Sequence, residues 1–280
     1  MTDTQPIAPT APIGIFDSGV GGLTVARELF KLLPSEDVVY FGDVGRYPYG
    51  GRSKEIITKF TRQDIAFLME HDVKFIICAC NSASSVALEE LRGDYHISIV
   101  GVIEPGARAA VERTSNGRVG VIGTHATIGS NAYAATIHAI DPRIKVFSLA
   151  CPLFVPLAEE GYIDKEATYL IAREYLQTMH DVAIDTLVLG CTHYPLLKHV
   201  IADIMGDGVT LIDSGEETAR VALTTLTDAG LLNPRASAAS PPPGDRKYFV
   251  SDVPEKFSKV ATRFLGELLD KVTRVDISGY

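Results

Sequence analysis

Short apolar runs alternate with helical patterns along nearly the whole chain. Ile13 to Phe16, Val38 to Phe41, Phe75 to Ala79 and Ile97 to Ile103 are brief, β-branched and bounded by Gly, Asp or Pro, which predicts buried strands. Between them, Leu23 to Leu33, Ile56 to Glu70 and Ser84 to Leu91 carry apolar residues at three- and four-residue spacing, as amphipathic helices do. Strand and helix in repetition call for a parallel sheet, because parallel neighbours need crossover helices and those helices come to cover both faces.

The rhythm then starts again. Arg118-Val119-Gly120-Val121-Ile122-Gly123-Thr124 echoes Pro12-Ile13-Gly14-Ile15-Phe16-Asp17-Ser18, Lys145 to Leu149 echoes Val38 to Phe41, and Thr186 to Cys191 echoes Phe75 to Cys80. A fourth echo pairs Val102-Ile103-Glu104-Pro105-Gly106 with Leu211-Ile212-Asp213-Ser214-Gly215. Any two α/β units look vaguely alike, but elements matching in the same order favour an internal duplication. The expected fold is α/β, with two pseudo-symmetric doubly wound domains, mostly parallel sheets and an active site in the cleft between them. The second domain is expected over 104–214 and the first over 1–103 plus 215–280. Tyr248 to Ser251 reads as a returning strand, and Pro254 to Leu269 as a helix with Phe257, Val260, Ala261, Phe264, Leu265 and Leu268 on one side. The tail 1–12 and the Pro- and Ser-rich loop 233–247 cannot bury a face and are expected to be mobile.

Composition narrows the picture further. A chain of 280 residues with 46% hydrophobic content can bury a substantial core. Its net charge of −9, without a Lys/Arg cluster, would repel a nucleic-acid backbone. The start carries neither a basic region nor an apolar stretch suited to export or membrane spanning, so a cytoplasmic protein with no membrane partner is expected. The four cysteines then read as reduced thiols.

Two of those thiols occupy equivalent places. Cys80, in Ile76-Ile77-Cys78-Ala79-Cys80-Asn81-Ser82, and Cys191, in Leu187-Val188-Leu189-Gly190-Cys191-Thr192-His193, each follow a strand and precede a helix, where α/β proteins hold reactive groups. A pair in matching halves suits proton transfer to and from opposite faces of one carbon, one sulfur as thiolate and one as thiol. Helices beginning near Asn81 and Pro195 predict a depressed pKa for both. His193 is placed to relay a proton for Cys191, with Glu159 or Glu160 behind it; Asp17, at the tip of the first strand, is placed to assist Cys80 or hold an ammonium. Ser18, Asn81, Ser82, Thr192 and the Gly50 backbone offer neutral donors for carboxylates.

Other features have plainer readings. Asp43 is expected to be a turn or cap residue. Gly19-Val20-Gly21-Gly22 lacks the Lys and the spacing of a phosphate-binding loop and reads as a tight turn. Cys78 and Cys151 have no zinc-like spacing and are expected to be packed thiols, so no metal is expected. His71, His96, His125, His138, His180 and His199 read as surface or satisfied histidines.

Taken together, Gly14-Ile15-Phe16-Asp17-Ser18-Gly19-Val20-Gly21-Gly22-Leu23-Thr24, Asp43 with Pro48-Tyr49-Gly50, Ala79-Cys80-Asn81-Ser82-Ala83 and Gly190-Cys191-Thr192-His193-Tyr194-Pro195-Leu196-Leu197 closely resemble the signature segments of bacterial glutamate racemases, within the cofactor-independent aspartate/glutamate racemase family. Ser82 departs from the family's usual Thr but keeps the hydroxyl. The resemblance implies interconversion of L- and D-glutamate without pyridoxal phosphate, metal or other cofactor, supply of D-glutamate for peptidoglycan, and a homodimer. It also implies Asp17, Ser18, Tyr49, Gly50, Asn81, Ser82, Thr192 and His193 around the substrate, with Cys80, Cys191, Asp17 and His193 catalytic. Racemisation of aspartate or a related amino acid by the same thiol pair is the alternative. A hydrolase or lyase using Cys191 with His193 alone, and a non-catalytic binder of a small acid, are the readings from other classes.

Overall fold

The computed structural model describes residues 7–269 and 271–280; the first six residues of the expected mobile tail lie outside them. The strands are β1 (Ile13–Asp17), β2 (Val38–Gly42), β3 (Phe75–Cys78), β4 (Ser98–Gly101), β5 (Arg118–Gly123), β6 (Lys145–Ala150), β7 (Thr186–Gly190), β8 (Thr210–Asp213), β9 (Arg246–Val250) and β10 (Val272–Arg274). They form a six-stranded sheet ordered β10-β9-β2-β1-β3-β4 and a four-stranded sheet ordered β6-β5-β7-β8. Every described strand pairing is parallel. The segment β2-β1-β3-β4 repeats as β6-β5-β7-β8, so the internal echo in the sequence is an echo in topology.

Alternation along the strands sorts the core. Ile13, Ile15, Val38, Tyr40, Phe75 and Ile77 of the first sheet share one continuous cluster with Val119, Val121, Val188 and Ile212 of the second, through helices Leu23–Leu32, Ile103–Arg113 and Ser214–Asp228. Phe16, Val39, Phe41, Ile76 and Cys78 face a separate core on the far side of the first sheet; Ile122, Leu187 and Leu189 do the same in the second. This two-sided burial explains why the strands read as unbroken apolar runs. β9 and β10 extend the first sheet beyond β2, and helix Pro254–Leu265 buries Phe257, Ala261, Phe264 and Leu265.

Three expected boundaries move. The strand expected over Ile97–Ile103 ends at Gly101, and a helix starts at Ile103, where Pro105 in its first turn costs no hydrogen bond. The helix expected over Ser84–Leu91 begins earlier, at Asn81, and breaks at Ala87 into Asn81–Val86 and Leu88–Leu91. Polar residues there work locally: Ser84 Oγ donates to the Cys78 carbonyl (2.9 Å) and accepts from Val102 N–H (3.3 Å), which apolar spacing cannot reveal. The final helix stops at Leu265 because Gly266 takes a left-handed conformation (φ 86°), leaving Leu268 exposed rather than on the packed face.

Pro9 and the start of the Pro-rich segment are tied down by charge. Lys74 and Glu36 form a buried ion pair (2.5 Å), and Lys74 Nζ also donates to the Pro9 carbonyl (2.5 Å). Glu36 accepts from Asn233 N–H (2.6 Å), and Arg235 pairs with Asp37 (2.5 Å). Removing one partner strands the other charge, so Glu36→Ala should cost about 3–5 kcal/mol in denaturant unfolding. A loss below about 1 kcal/mol would show that Lys74 finds water instead.

Candidate active site

All functional segments lie beyond the carboxyl ends of the strands, where parallel sheets leave crevices. Asp17 ends β1 opposite Gly42 of β2, and Cys78, opposite Phe16, closes the neighbouring pairing two residues before Cys80. In the second sheet Gly123 pairs with Gly190, the residue before Cys191. The two crevices face each other and enclose a cavity of about 40 Å³. Ser18, Tyr49, Gly50, Cys80, Asn81, Ser82, Cys191, Thr192 and His193, all singled out in the sequence, line it together with Tyr47, Pro48, Thr124 and Val155. Asp17 is not on the wall; it is buried behind Ser18.

The first half holds Cys80 as the residue before helix Asn81–Val86. Its thiol donates towards Ser18 Oγ (3.6 Å). Contrary to the expected depression, Cys80 is pushed up to about 12: burial disfavours the thiolate and the Asp17 carboxylate adds repulsion, outweighing the N–H groups of Ala83 and Ser18. Asp17 Oδ2 accepts from Gly19 N–H (2.9 Å), while Oδ1 is buried without a partner. Burial raises the Asp17 pKa against the pull of His193.

The second half is a chain of contacts from sulfur to carboxylate. His193 Nδ1 lies 3.8 Å from Cys191 Sγ, and His193 Nε2 lies 2.9 Å from Glu159 Oε1, so the carboxylate is Glu159 and not Glu160. Burial works against the imidazolium, but Cys191 and Glu159 on its two nitrogens outweigh that and lift His193 to about 10. Burial likewise opposes charge on Glu159, yet the His193 hydrogen bond and charge, helped by the Tyr47 hydroxyl, bring its pKa below the usual value. Tyr47 stacks on the imidazole (centroids 6.3 Å apart, 26° between planes). The two thiols therefore sit in opposite settings, Cys80 beside a carboxylic side chain and Cys191 beside a cationic ring.

The halves meet closely. Thr24 Oγ1 donates to the Thr192 carbonyl (2.9 Å), Ser82 Oγ and Thr124 Oγ1 are 3.0 Å apart, and the backbone between Asp17 and Leu23 passes against Thr192. A Cβ on Gly21 would overlap Thr192 Oγ1 and the His193 ring, so the glycine-rich turn exists to let the lobes approach. Ser82, though smaller than Thr, still spans the gap through its hydroxyl.

Several assignments are refined by this geometry. Tyr49 borders the cavity, but its hydroxyl is turned away to Asp43 and to Asp64 (2.9 Å). Asp43 makes the expected turn, accepting from Arg46 N–H (3.2 Å), and also pairs with the Arg46 guanidinium (2.6 Å). Arg46 in turn pairs with Asp64 (3.0 Å), fixing the Tyr47–Gly50 segment from beneath. Cys78 and Cys151 are buried away from the cavity. His138 and His180 are satisfied by the Ile144 and Ile204 carbonyls (3.0 and 2.7 Å). Tyr47 and Val155 escaped sequence reasoning. Thr124 did leave a trace, since it is the echo of Ser18 in the second half.

Two look-alike parallel α/β lobes bring one thiol each to a shared cavity, the arrangement that inversion of one carbon by proton transfer calls for. A family model described as Asp/Glu/Hydantoin racemase matches residues 46–222, and the chain belongs to that family, in its glutamate racemase group. It is 52% identical to the glutamate racemase of Geobacter metallireducens over 269 residues, covering 96% of this chain and 98% of the relative. Among solved structures it is similar to the Francisella tularensis glutamate racemase in complex with D-glutamate, with TM-score 0.89, 40% identity and coverage of 97% and 100%. The Thermus thermophilus glutamate racemase in complex with beta-chloro-D-alanine gives TM-score 0.86, 44% identity and coverage of 96% and 98%. Among the described residues no helix is long and apolar enough to cross a membrane.

Proposed function

We propose that this chain interconverts L- and D-glutamate by proton transfer at Cα between Cys80 and Cys191, and so supplies D-glutamate for peptidoglycan. The observation that carries the reading is the pair of thiols on one cavity in opposite electrostatic settings. In one direction the Cys191 sulfur, as thiolate beside His193, takes the Cα proton, and the C–H electron pair spreads into the α-carboxylate. Cys80 then gives its S–H proton to the opposite face, forming the new C–H bond and becoming the thiolate. The reverse reaction exchanges the roles.

The surrounding groups have matching tasks. Neutral donors at Ser18, Asn81, Ser82 and Thr192 suit the two carboxylates and the charge that grows on one of them as the proton leaves. Asp17, behind Ser18 with Oδ1 unpaired, suits the substrate ammonium through its field across Ser18, and that positive charge would offset the repulsion that Asp17 exerts on Cys80. A cavity of about 40 Å³ holds a few waters but not a five-carbon diacid, so the lobes part for entry. The route leads through the adjoining space of about 390 Å³ lined by Tyr47, Gly51, Thr124, His125, Pro152 and Pro156.

In deuterated water each glutamate enantiomer should acquire deuterium at Cα as it converts to the other, while aspartate stays unlabelled. Equal labelling of aspartate would move the assignment to the broader alternative. Tight glutamate binding without exchange would make the protein a binder.

A further inference from the structure

Asn81 shows two faces. Its Oδ1 accepts a hydrogen bond of 2.7 Å from the Tyr133 hydroxyl, while its Nδ2 is buried with no partner among the described residues, and the residue itself lines the cavity. Tyr133 belongs to the opposite lobe, on helix Ala132–Ile140 between β5 and β6, and is itself buried. Its other neighbours are weaker or local to its own lobe: the Val102 carbonyl stands at 3.5 Å, and the Ser214 side chain also hydrogen-bonds to the phenol. The chain makes room for this ring. A Cβ on Gly190, directly before Cys191, would come within 3.1 Å of Tyr133 Cε2, and one on Gly106 within 3.3 Å of the hydroxyl.

An amide can present either oxygen or NH₂ to a ligand, and the two choices have opposite consequences. Oxygen towards a carboxylate repels it; NH₂ donates to it. We propose that Tyr133 is a positioning residue for the racemisation: reaching across from the second lobe, it holds Asn81 Oδ1 and thereby turns the amide NH₂ into the cavity as a donor to a substrate carboxylate. Because the bond joins the lobes, the donor is correctly presented only when they are closed, so closure and carboxylate recognition are coupled through one hydroxyl. The inference rests on the reading of Asn81 as a substrate-binding residue. Burial holds the Tyr133 pKa above its ordinary value, so the phenol keeps the proton it donates.

The test is a double-mutant cycle read in KM and kcat for both glutamate enantiomers. Tyr133→Phe keeps the ring between the two glycines and removes the hydroxyl; it should raise KM about 10-fold in both directions with kcat changed less than about 3-fold, as expected for loss of ground-state binding. Asn81→Ala should raise KM at least as much, and adding Tyr133→Phe to it should have no further effect. Asn81→Ala that raises KM while Tyr133→Phe leaves it within about 2-fold overturns the role of Tyr133 alone. Asn81→Ala with unchanged KM overturns the Asn81 reading and this inference with it. An effect of Tyr133→Phe that persists on the Asn81→Ala background marks it as packing and also overturns the inference. If Tyr133→Phe does not fold, Gly106→Ala presses on the hydroxyl without removing it; a raised KM at constant kcat supports the inference and an unchanged KM overturns it.

Discussion

Cys80→Ser and Cys191→Ser should each lower racemisation at least about 10³-fold in both directions, because a serine hydroxyl neither ionises in reach of neutral pH nor holds a proton that carbon can take. The losses should not be alike in detail. Each variant keeps one competent sulfur, so each should still exchange the Cα hydrogen of one enantiomer with solvent, and the two variants should prefer opposite enantiomers. Chiral chromatography for turnover and proton NMR for loss of the Cα signal separate the two activities. Full turnover by Cys80→Ser would instead favour a nucleophilic enzyme working from Cys191 and His193 alone. Folding should be little affected, since serine fills most of the space of either thiol.

Glu159→Gln should reduce kcat by about 10²-fold and move its dependence on pH. His193 is held at about 10, above the ordinary histidine value, by Cys191 and Glu159. Its contribution to folding stability is therefore complete below the ordinary histidine pKa and is lost as pH rises through about 10. Activity that needs the imidazolium should fall over the same upper limb. Glutamine keeps the shape and a hydrogen bond but removes the charge, so the limb should shift towards neutral pH. A variant with lower kcat and an unmoved limb would mean that Glu159 orients the ring without setting its charge.

The parallel sheets were legible because the inner strands are buried on both faces, which writes short β-branched runs that need no tertiary information. The repeat was legible for the same reason, since β2-β1-β3-β4 and β6-β5-β7-β8 carry the same runs in the same order. The sulfur positions were legible because a cysteine just after a strand end has few places to go. The proton affinity of Cys80 was not. Its position before a helix argued downward, whereas complete burial and the Asp17 charge, visible only in three dimensions, push it up to about 12. Glu159 and Glu160 are consecutive on one helix end and point about 100° apart, so only packing selects the one that meets His193. Tyr47 and Tyr49 flank Pro48, and the chain alone does not reveal that the first stacks on His193 while the second turns to Asp43 and Asp64. Tyr133 lies in the opposite lobe from the amide it touches, beyond the reach of any local pattern.

The most direct test is a crystal structure of the protein with D-glutamate bound. Cys80 Sγ and Cys191 Sγ should each lie about 3–4 Å from Cα, on opposite faces of the plane through its other substituents, close to reacting distance. Both sulfurs on one face, or either one left more than about 6 Å away in the closed complex, would contradict transfer between two thiols.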